Sequence, residues 1–376
     1  MIRTTNFVLL CLLSLIACNQ ITTEDQVTEW ISEHAIKIRT VEAGNGFEDL
    51  VPLGEIVGDA RIVSLGEPTH GNREVFQLKH RLIEYLVTEQ GFNLFALECP
   101  FGEALDVNKY VLDGEGTPEE ALAGIYYWTW DTKEVVELLK WMRSYNANPS
   151  HLNKVKFYGF DTQDPERAAR YMLEYLQKVD PQLTQEVLTE LNILQIPFSD
   201  PHGMGRRPYI PQEYDEAGLL EIRRVMKAFE DNRDDYISTT GSQEYSLAQQ
   251  HARQVEMWIE ACTNNGENYV NVRENGQAEN IKWILDHEGD NSKAIVWAHN
   301  SHVANAAPKG ENAQGYYLRK IYGEQLKIIG MFFNQGGFKA LDVNMPSKGM
   351  YNFSVEQAPT GTLEHTFAGA GLPLAI

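Results

Sequence analysis

The apolar positions of this chain fall into two periods. Four short runs, at 62–65, 92–97, 155–160 and 293–298, are apolar on both faces, as strands buried on both sides of a sheet are. Each run ends on acidic residues or histidine. The first leads into Glu67 and His70, the second into Glu98, the third into Asp161 and the fourth into His299 and His302. In an open parallel sheet, ligands sit outside the carboxyl ends of the strands. Segments distant in sequence therefore deliver carboxylates and imidazoles to one edge, which is general acid/base equipment. That repetition across four segments points to an enzyme.

Between these runs the apolar spacing turns helical. Residues 22–38 place Val27, Trp30, Ile31 and Ala35 on one face. After the first strand, Asn72 is a fair N-cap for a helix whose buried stripe is Val75, Leu78, Leu82 and Leu86, and Gln90-Gly91 ends it. The unit is βαβ, with a right-handed crossover expected. Helices are also expected over 104–111 and 132–145, the second carrying Val135, Leu138, Leu139 and Met142. A further strand is expected over 326–333, ending on Asn334. Residues 166–287 are mostly helical in pattern, with 245–262 the longest stretch. The irregular segment 196–208 is a candidate lid. The fold class expected is α/β, a central mainly parallel sheet flanked by helices, with a helical insertion or cap over about 166–290 inside a domain spanning 46–376.

The amino terminus has a different character. Arg3 precedes an apolar run over 7–17, a secretory pattern too short to span a bilayer as a permanent helix. Leu15-Ile16-Ala17-Cys18 resembles a bacterial lipobox. The expectation is a signal peptide over 1–17, lipidation of Cys18, and a linker and helix over 18–45. The protein would then be lipid-anchored in a bacterial envelope, at the outer membrane or the periplasmic face. The net charge of −21, one more negative without Arg3, argues against nucleic-acid partners. Cys99 and Cys262 have no metal spacing and read as buried thiols, and no feature indicates an oligomeric state.

Glu67 and His70, three residues apart, can hydrogen-bond and set the imidazole tautomer. Glu98 ends an apolar strand, where desolvation would raise its pKa, with Arg73 or Lys79 as possible counter-ions. Two histidines with glutamates could ligate zinc, or act as base and orienting group without metal. The chain has no His-Glu-x-x-His, no Gly-x-Ser-x-Gly and no Gly-rich phosphate loop. Asp161 could bind substrate or hold a loop, and Arg273-Glu274 reads as an ion pair lining the site. Tyr126, Tyr127, Trp128 and Trp130 could wall an apolar pocket or fill the core.

Taken together these motifs resemble the erythromycin esterase family. Leu65-Gly66-Glu67-Pro68-Thr69-His70-Gly71 followed by Arg73-Glu74 is similar to its signature loop, Phe95-Ala96-Leu97-Glu98 to its second-strand ending, and Trp297-Ala298-His299-Asn300-Ser301-His302-Val303 to its late histidine motif. Trp128-Thr129-Trp130, Gly159-Phe160-Asp161 and Arg273 with Asn280 and Trp283 fall in the expected order. The resemblance implies a metal-independent, cofactor-free hydrolase of an ester or macrolide lactone, in which His299 activates water and Glu67, His70 and Glu98 complete the catalytic centre. Lys79, Arg73, Asp161, His302 and Arg273 are the implied substrate-binding residues. Three departures stand out: Lys79 where some members carry arginine, Pro68 at a position often small, and an end at Ile376 where the family pattern usually continues, as in a truncated or short variant. A haem-binding bacterial lipoprotein shares the architecture, so a ligand-binding envelope protein is the rival expectation.

Overall fold

The computed structural model describes residues 23–190, 212–263, 269–306, 312–342 and 349–376. Strands β1 (Ile62–Glu67), β2 (Leu94–Pro100), β3 (Lys156–Asp161), β4 (Ala294–His299) and β5 (Leu326–Ile329) form one sheet in the order β3-β2-β4-β1-β5. Every neighbouring pair is parallel. Alternate residues explain the unbroken apolar runs. Val63, Leu65, Phe95, Leu97, Ile295 and Trp297 belong to one core, and Ile62, Leu94, Ala96, Ala294, Val296 and Ala298 to a second. Side chains alternate between the faces of a strand, so a sheet covered on both sides needs apolar residues at every position.

Helices α1 (Thr23–His34) and α2 (Val51–Val57) precede β1 and α3 (Arg73–Gln90) follows it, and α2 and α3 close the first core. Asn72 caps α3 by accepting from the Val75 N–H at 3.1 Å, and Gly91 ends it in the left-handed region at φ 73°. The expected stripe of Val75, Leu78, Leu82 and Leu86 is buried. Lys79 and Arg81 are buried too, which periodicity does not show. Arg81 donates to Asp49 at 2.5 and 2.9 Å and to the Gly46 and Thr40 carbonyls, drawing the 40–49 segment over the helix. Next come α4 (Ala104–Asp113), α5 (Pro118–Ala123) and α6 (Lys133–Ala147), all on the same face.

Between β3 and β4 the described chain is helical: α7 (Glu166–Val179), α8 (Pro181–Glu190), α9 (Gln212–Asp231), α10 (Arg233–Thr240), α11 (Ser242–Cys262) and α12 (Tyr269–Glu288). The first five build a core of their own around Met172, Leu176, Phe229 and Trp258, while Ile281, Ile284 and Leu285 of α12 pack on the second face of the sheet. The candidate lid at 196–208 and the segment with Cys18 lie outside the described residues.

The carboxyl-terminal part departs from expectation. After α13 (Asn300–Val303) and α14 (Gln314–Tyr322), β5 stops at Ile329 instead of reaching Phe333. An antiparallel hairpin follows, β6 (Gly336–Leu341) with β7 (Met350–Val355), and then α15 (Leu363–Gly369). The last residues are tied in: Ile376 exchanges backbone hydrogen bonds with Ile36, and the Ile38 N–H donates to the Leu374 carbonyl.

Candidate active site

The strand order creates the site. The β1-to-β2 connection passes over β4 by way of α3, on one face of the sheet, and the β4-to-β5 connection passes over β1 by way of α14, on the other. The carboxyl ends of β1 and β4 therefore flank a switch point, where open parallel sheets bind ligands. Their register places Glu67 beside His299. On β2, an irregularity between Leu97 and Pro100 re-aims Glu98 toward the same edge.

Two polar clusters meet there. In the first, Glu67 is fully buried and bridges an imidazole and an ammonium: its Oε1 lies 2.8 Å from His70 Nδ1, and its Oε2 accepts from Lys79 Nζ. Lys79 also donates to the Leu65 carbonyl at 2.8 Å and sits 4.6 Å from the centre of the Trp297 ring, so it closes the floor between β1 and β4. Burial pulls the Lys79 pKa down to about 8 although Glu67 works against it. Because Glu67 accepts at Nδ1, the His70 proton belongs there and Nε2 keeps its lone pair. Among the described residues His70 Nε2 has no hydrogen-bond partner. Burial opposes charging of His70, but the hydrogen bond and charge of Glu67, with Glu98 behind it, prevail and raise its pKa.

The second cluster surrounds Glu98. Its Oε1 meets Arg273 Nη2 and His302 Nε2, each at 3.0 Å, and its Oε2 accepts from the His299 backbone N–H at 2.9 Å. Arg273 also donates to Asp161 at 2.9 and 2.8 Å, and Gln277 donates to the same carboxylate at 3.2 Å. His302 Nδ1 reaches Glu274 Oε1 at 2.5 Å. Burial opposes the charge of His302, but Glu98 and Glu274 raise its pKa to about 10. Both ring nitrogens therefore carry protons, and the 3.3 Å approach of Arg273 Nη1 sets two donors side by side. The same cations overcome burial and hold Glu98 well below the usual carboxylate range. The expectation of a raised Glu98 pKa is thus corrected: desolvation is present, but two cations outweigh it.

His299 lies between the clusters with its ring 5.4 Å from that of His70. Its Nδ1 accepts from the Ser301 N–H at 3.1 Å, capping α13, so Nε2 carries the proton and donates to the Pro68 carbonyl at 3.1 Å. Burial, then the neighbouring His70, lowers its pKa.

The opening to solvent is a cleft of about 750 Å³. His70 and Trp128 line one side, and Phe338, Met350 and Phe353 of the hairpin line the other. The hairpin is pinned to the loop bearing His70: the Lys339 N–H donates to the Gly71 carbonyl at 3.1 Å. A Cβ at Gly71 would lie 1.7 Å from the Lys339 carbonyl oxygen, so only glycine allows this approach.

A family model described as erythromycin esterase matches residues 87–376. The chain belongs to the erythromycin esterase family. The Escherichia coli protein named erythromycin esterase type II is 23% identical over 371 residues, covering 92% of this chain and 86% of its own length. A solved Bacillus cereus protein superposes with a TM-score of 0.80 at 28% identity, over 92% of this chain and 83% of that one. A solved erythromycin esterase mutant in its open conformation gives a TM-score of 0.67 at 19% identity, over 82% and 79% of the two chains, a likeness of fold. Membership of the erythromycin esterase family supports a hydrolase.

Eight residues singled out in the sequence share this network: Glu67, His70, Lys79, Glu98, Asp161, Arg273, His299 and His302. Arg73 stands apart on the cleft rim, two-thirds exposed, 4.0 Å from Glu74. Neither Arg73 nor Lys79 is the counter-ion of Glu98; Arg273 is, because α12 crosses the ends of β2 and β3. Nor do Arg273 and Glu274 pair with each other. As helix neighbours they point apart, Arg273 to Asp161 and Glu98, Glu274 to His302 and the Gln314 N–H. The aromatic run divides: Tyr127 donates to Gln163, Trp128 enters the cleft, and buried Trp130 donates to the Glu98 carbonyl at 2.8 Å. Gln277, Ser301 and the hairpin escaped the sequence reading. Among the described residues no group of three or more His, Cys, Asp or Glu is arranged to hold a metal ion.

Proposed function

We propose that this protein hydrolyses a carboxylic ester, with His70 as the general base. The observation that carries the reading is that His70 lines the cleft with Nδ1–H held by Glu67, while its Nε2 has no hydrogen-bond partner among the described residues. Glu67 fixes the tautomer and stabilises the imidazolium that forms, and buried Lys79 holds Glu67 in place through a direct hydrogen bond. His299, the base implied by the family resemblance, has both ring nitrogens committed, to Ser301 and Pro68. Its role in this reading is to hold the Pro68 loop, and so His70, in place. Arg273 and His302 are spent on carboxylates and anchor Glu98 rather than substrate.

Water at His70 Nε2 gives up one proton to that nitrogen as its oxygen bonds to the ester carbonyl carbon. The tetrahedral intermediate collapses with cleavage of the carbon–alkoxide bond, and the proton on His70 passes to the leaving alkoxide. The products are a carboxylic acid and an alcohol. The family name and the size of the cleft make a macrolide lactone one member of the substrate class.

The test is mass spectrometry of erythromycin and a panel of simpler esters after incubation with signal-free protein, His70→Ala and His299→Ala. A gain of one water, lost by about a hundredfold or more in His70→Ala and by less in His299→Ala, is expected. The reverse order would return the base to His299. No turnover of any ester by folded wild-type protein would favour the ligand-binding reading.

A further inference from the structure

The β6–β7 hairpin is an unusual companion for a buried catalytic edge. A two-stranded hairpin is marginal in water on its own, yet this one leaves Phe353 and Met350 exposed and Phe338 only half-buried. Phe338 and Phe353 are directly opposite in the register, with rings stacked at 5.5 Å and 20°. Phe353 is 37% exposed and Met350 43%. All three line the cleft that His70 opens into, and Trp128, 6.3 Å from the His70 ring, lines it too. The backbone bond from Lys339 to Gly71 ties this aromatic wall to the loop carrying the imidazole.

Charge does not distinguish the cleft. Arg73, Lys133 and Lys339 on its walls are matched by Glu74, Asp131 and Glu134. What remains to select a ligand is shape and apolar surface. We propose that Phe338, Phe353 and Met350 of the hairpin form the specificity wall of the site, seating the apolar body of a bulky ester against Trp128. This rests on the reading of His70 as the base, because the wall is useful to that reaction only if the reacting carbonyl lies at His70. The wall selects esters with a large apolar acyl or lactone portion over short-chain ones.

The experiment compares 4-nitrophenyl decanoate with 4-nitrophenyl acetate on wild type, Phe338→Ser/Phe353→Ser and the milder Met350→Ser, each checked for fold by circular dichroism. The ratio of kcat/KM for decanoate over acetate should fall at least tenfold in the double variant, mainly through KM, and by less in Met350→Ser. A parallel loss on both esters would mean that the hairpin only positions the His70 loop, and an unmoved ratio would mean that substrate does not touch it; either overturns the proposal. If wild type cleaves neither ester, the hydrolase reading fails separately, and binding of the apolar dye N-phenyl-1-naphthylamine still tests the wall. Tenfold weaker binding to the double variant supports it, and equal binding overturns it.

Discussion

Replacing His302 by glutamine keeps an amide near Glu98 but removes a buried positive charge from between two carboxylates. In the native protein that imidazole lies 3.0 Å from Glu98 and 2.5 Å from Glu274, and its pKa is raised to about 10. An unfolded histidine titrates near ~6.5, so the difference corresponds to roughly 5 kcal/mol of stability shared with its carboxylate partners. The sign follows from proton binding. Between these two values the folded protein holds a proton that the unfolded chain has released. The contribution is therefore complete below about pH 6.5 and is lost at about 1.4 kcal/mol per pH unit as pH rises toward the folded value. Urea unfolding followed by tryptophan fluorescence measures the gap between wild type and His302→Gln. That gap should narrow by roughly 3 kcal/mol between pH 6 and pH 9. A gap of equal size at both pH values would show that His302 stabilises by packing alone. It would also remove the charge argument for the low pKa of Glu98.

Two further substitutions probe other parts of the picture. Burial pulls the Lys79 pKa down to about 8, and loss of that proton removes the ammonium that donates to Glu67 beside His70, so the rate of ester hydrolysis should have an alkaline limb near that pH. Lys79→Arg should shift the limb upward because a guanidinium stays charged, and a pH–rate profile with the same limb in both proteins would disconnect Lys79 from it. The lipobox-like run ending at Cys18 leads us to propose a lipid anchor. Cys18→Ala should move the protein from the membrane to the soluble fraction, and continued sedimentation with membranes would argue against lipidation there.

How much of the fold was legible depended on where its apolar surface is buried. The strands announced themselves because a sheet covered on both sides is lined almost throughout by apolar residues, with buried Ser64 of β1 a polar exception. The α3 stripe was legible from Val75 to Leu86 for a related reason, a cap at one end and a glycine at the other. What the period could not show was Lys79 and Arg81, charged residues on the same helix that are buried because distant segments supply their partners: Glu67 on β1 for one, the 40–49 segment for the other. The hairpin was missed on opposite grounds. Its aromatic residues line a cleft rather than a core, and the Gly336-Gly337 pair that begins β6 carried no recognised signal; the strand expected over 326–333 ends at Ile329.

Within the site, strand endings pointed to residues that converge at one edge but could not apportion their partners. Three histidines of the same chemical type meet at one edge and are made different by their partners. His302 faces two carboxylates and is charged. His299 accepts from Ser301 and donates to Pro68, which leaves it neutral and occupied. His70 gives one nitrogen to Glu67 and keeps the other for the cleft. A general base must be oriented by one nitrogen and open at the other, and only His70 of the three meets both conditions in this arrangement. The deciding partners are backbone groups of Pro68 and Ser301 and a glutamate one helix position from Arg273, none of which spacing along the chain could assign to a particular ring. Residue type therefore limited the candidates, and the closing of β4 against β1 set Glu67 beside His299, at an edge where the three rings find different partners.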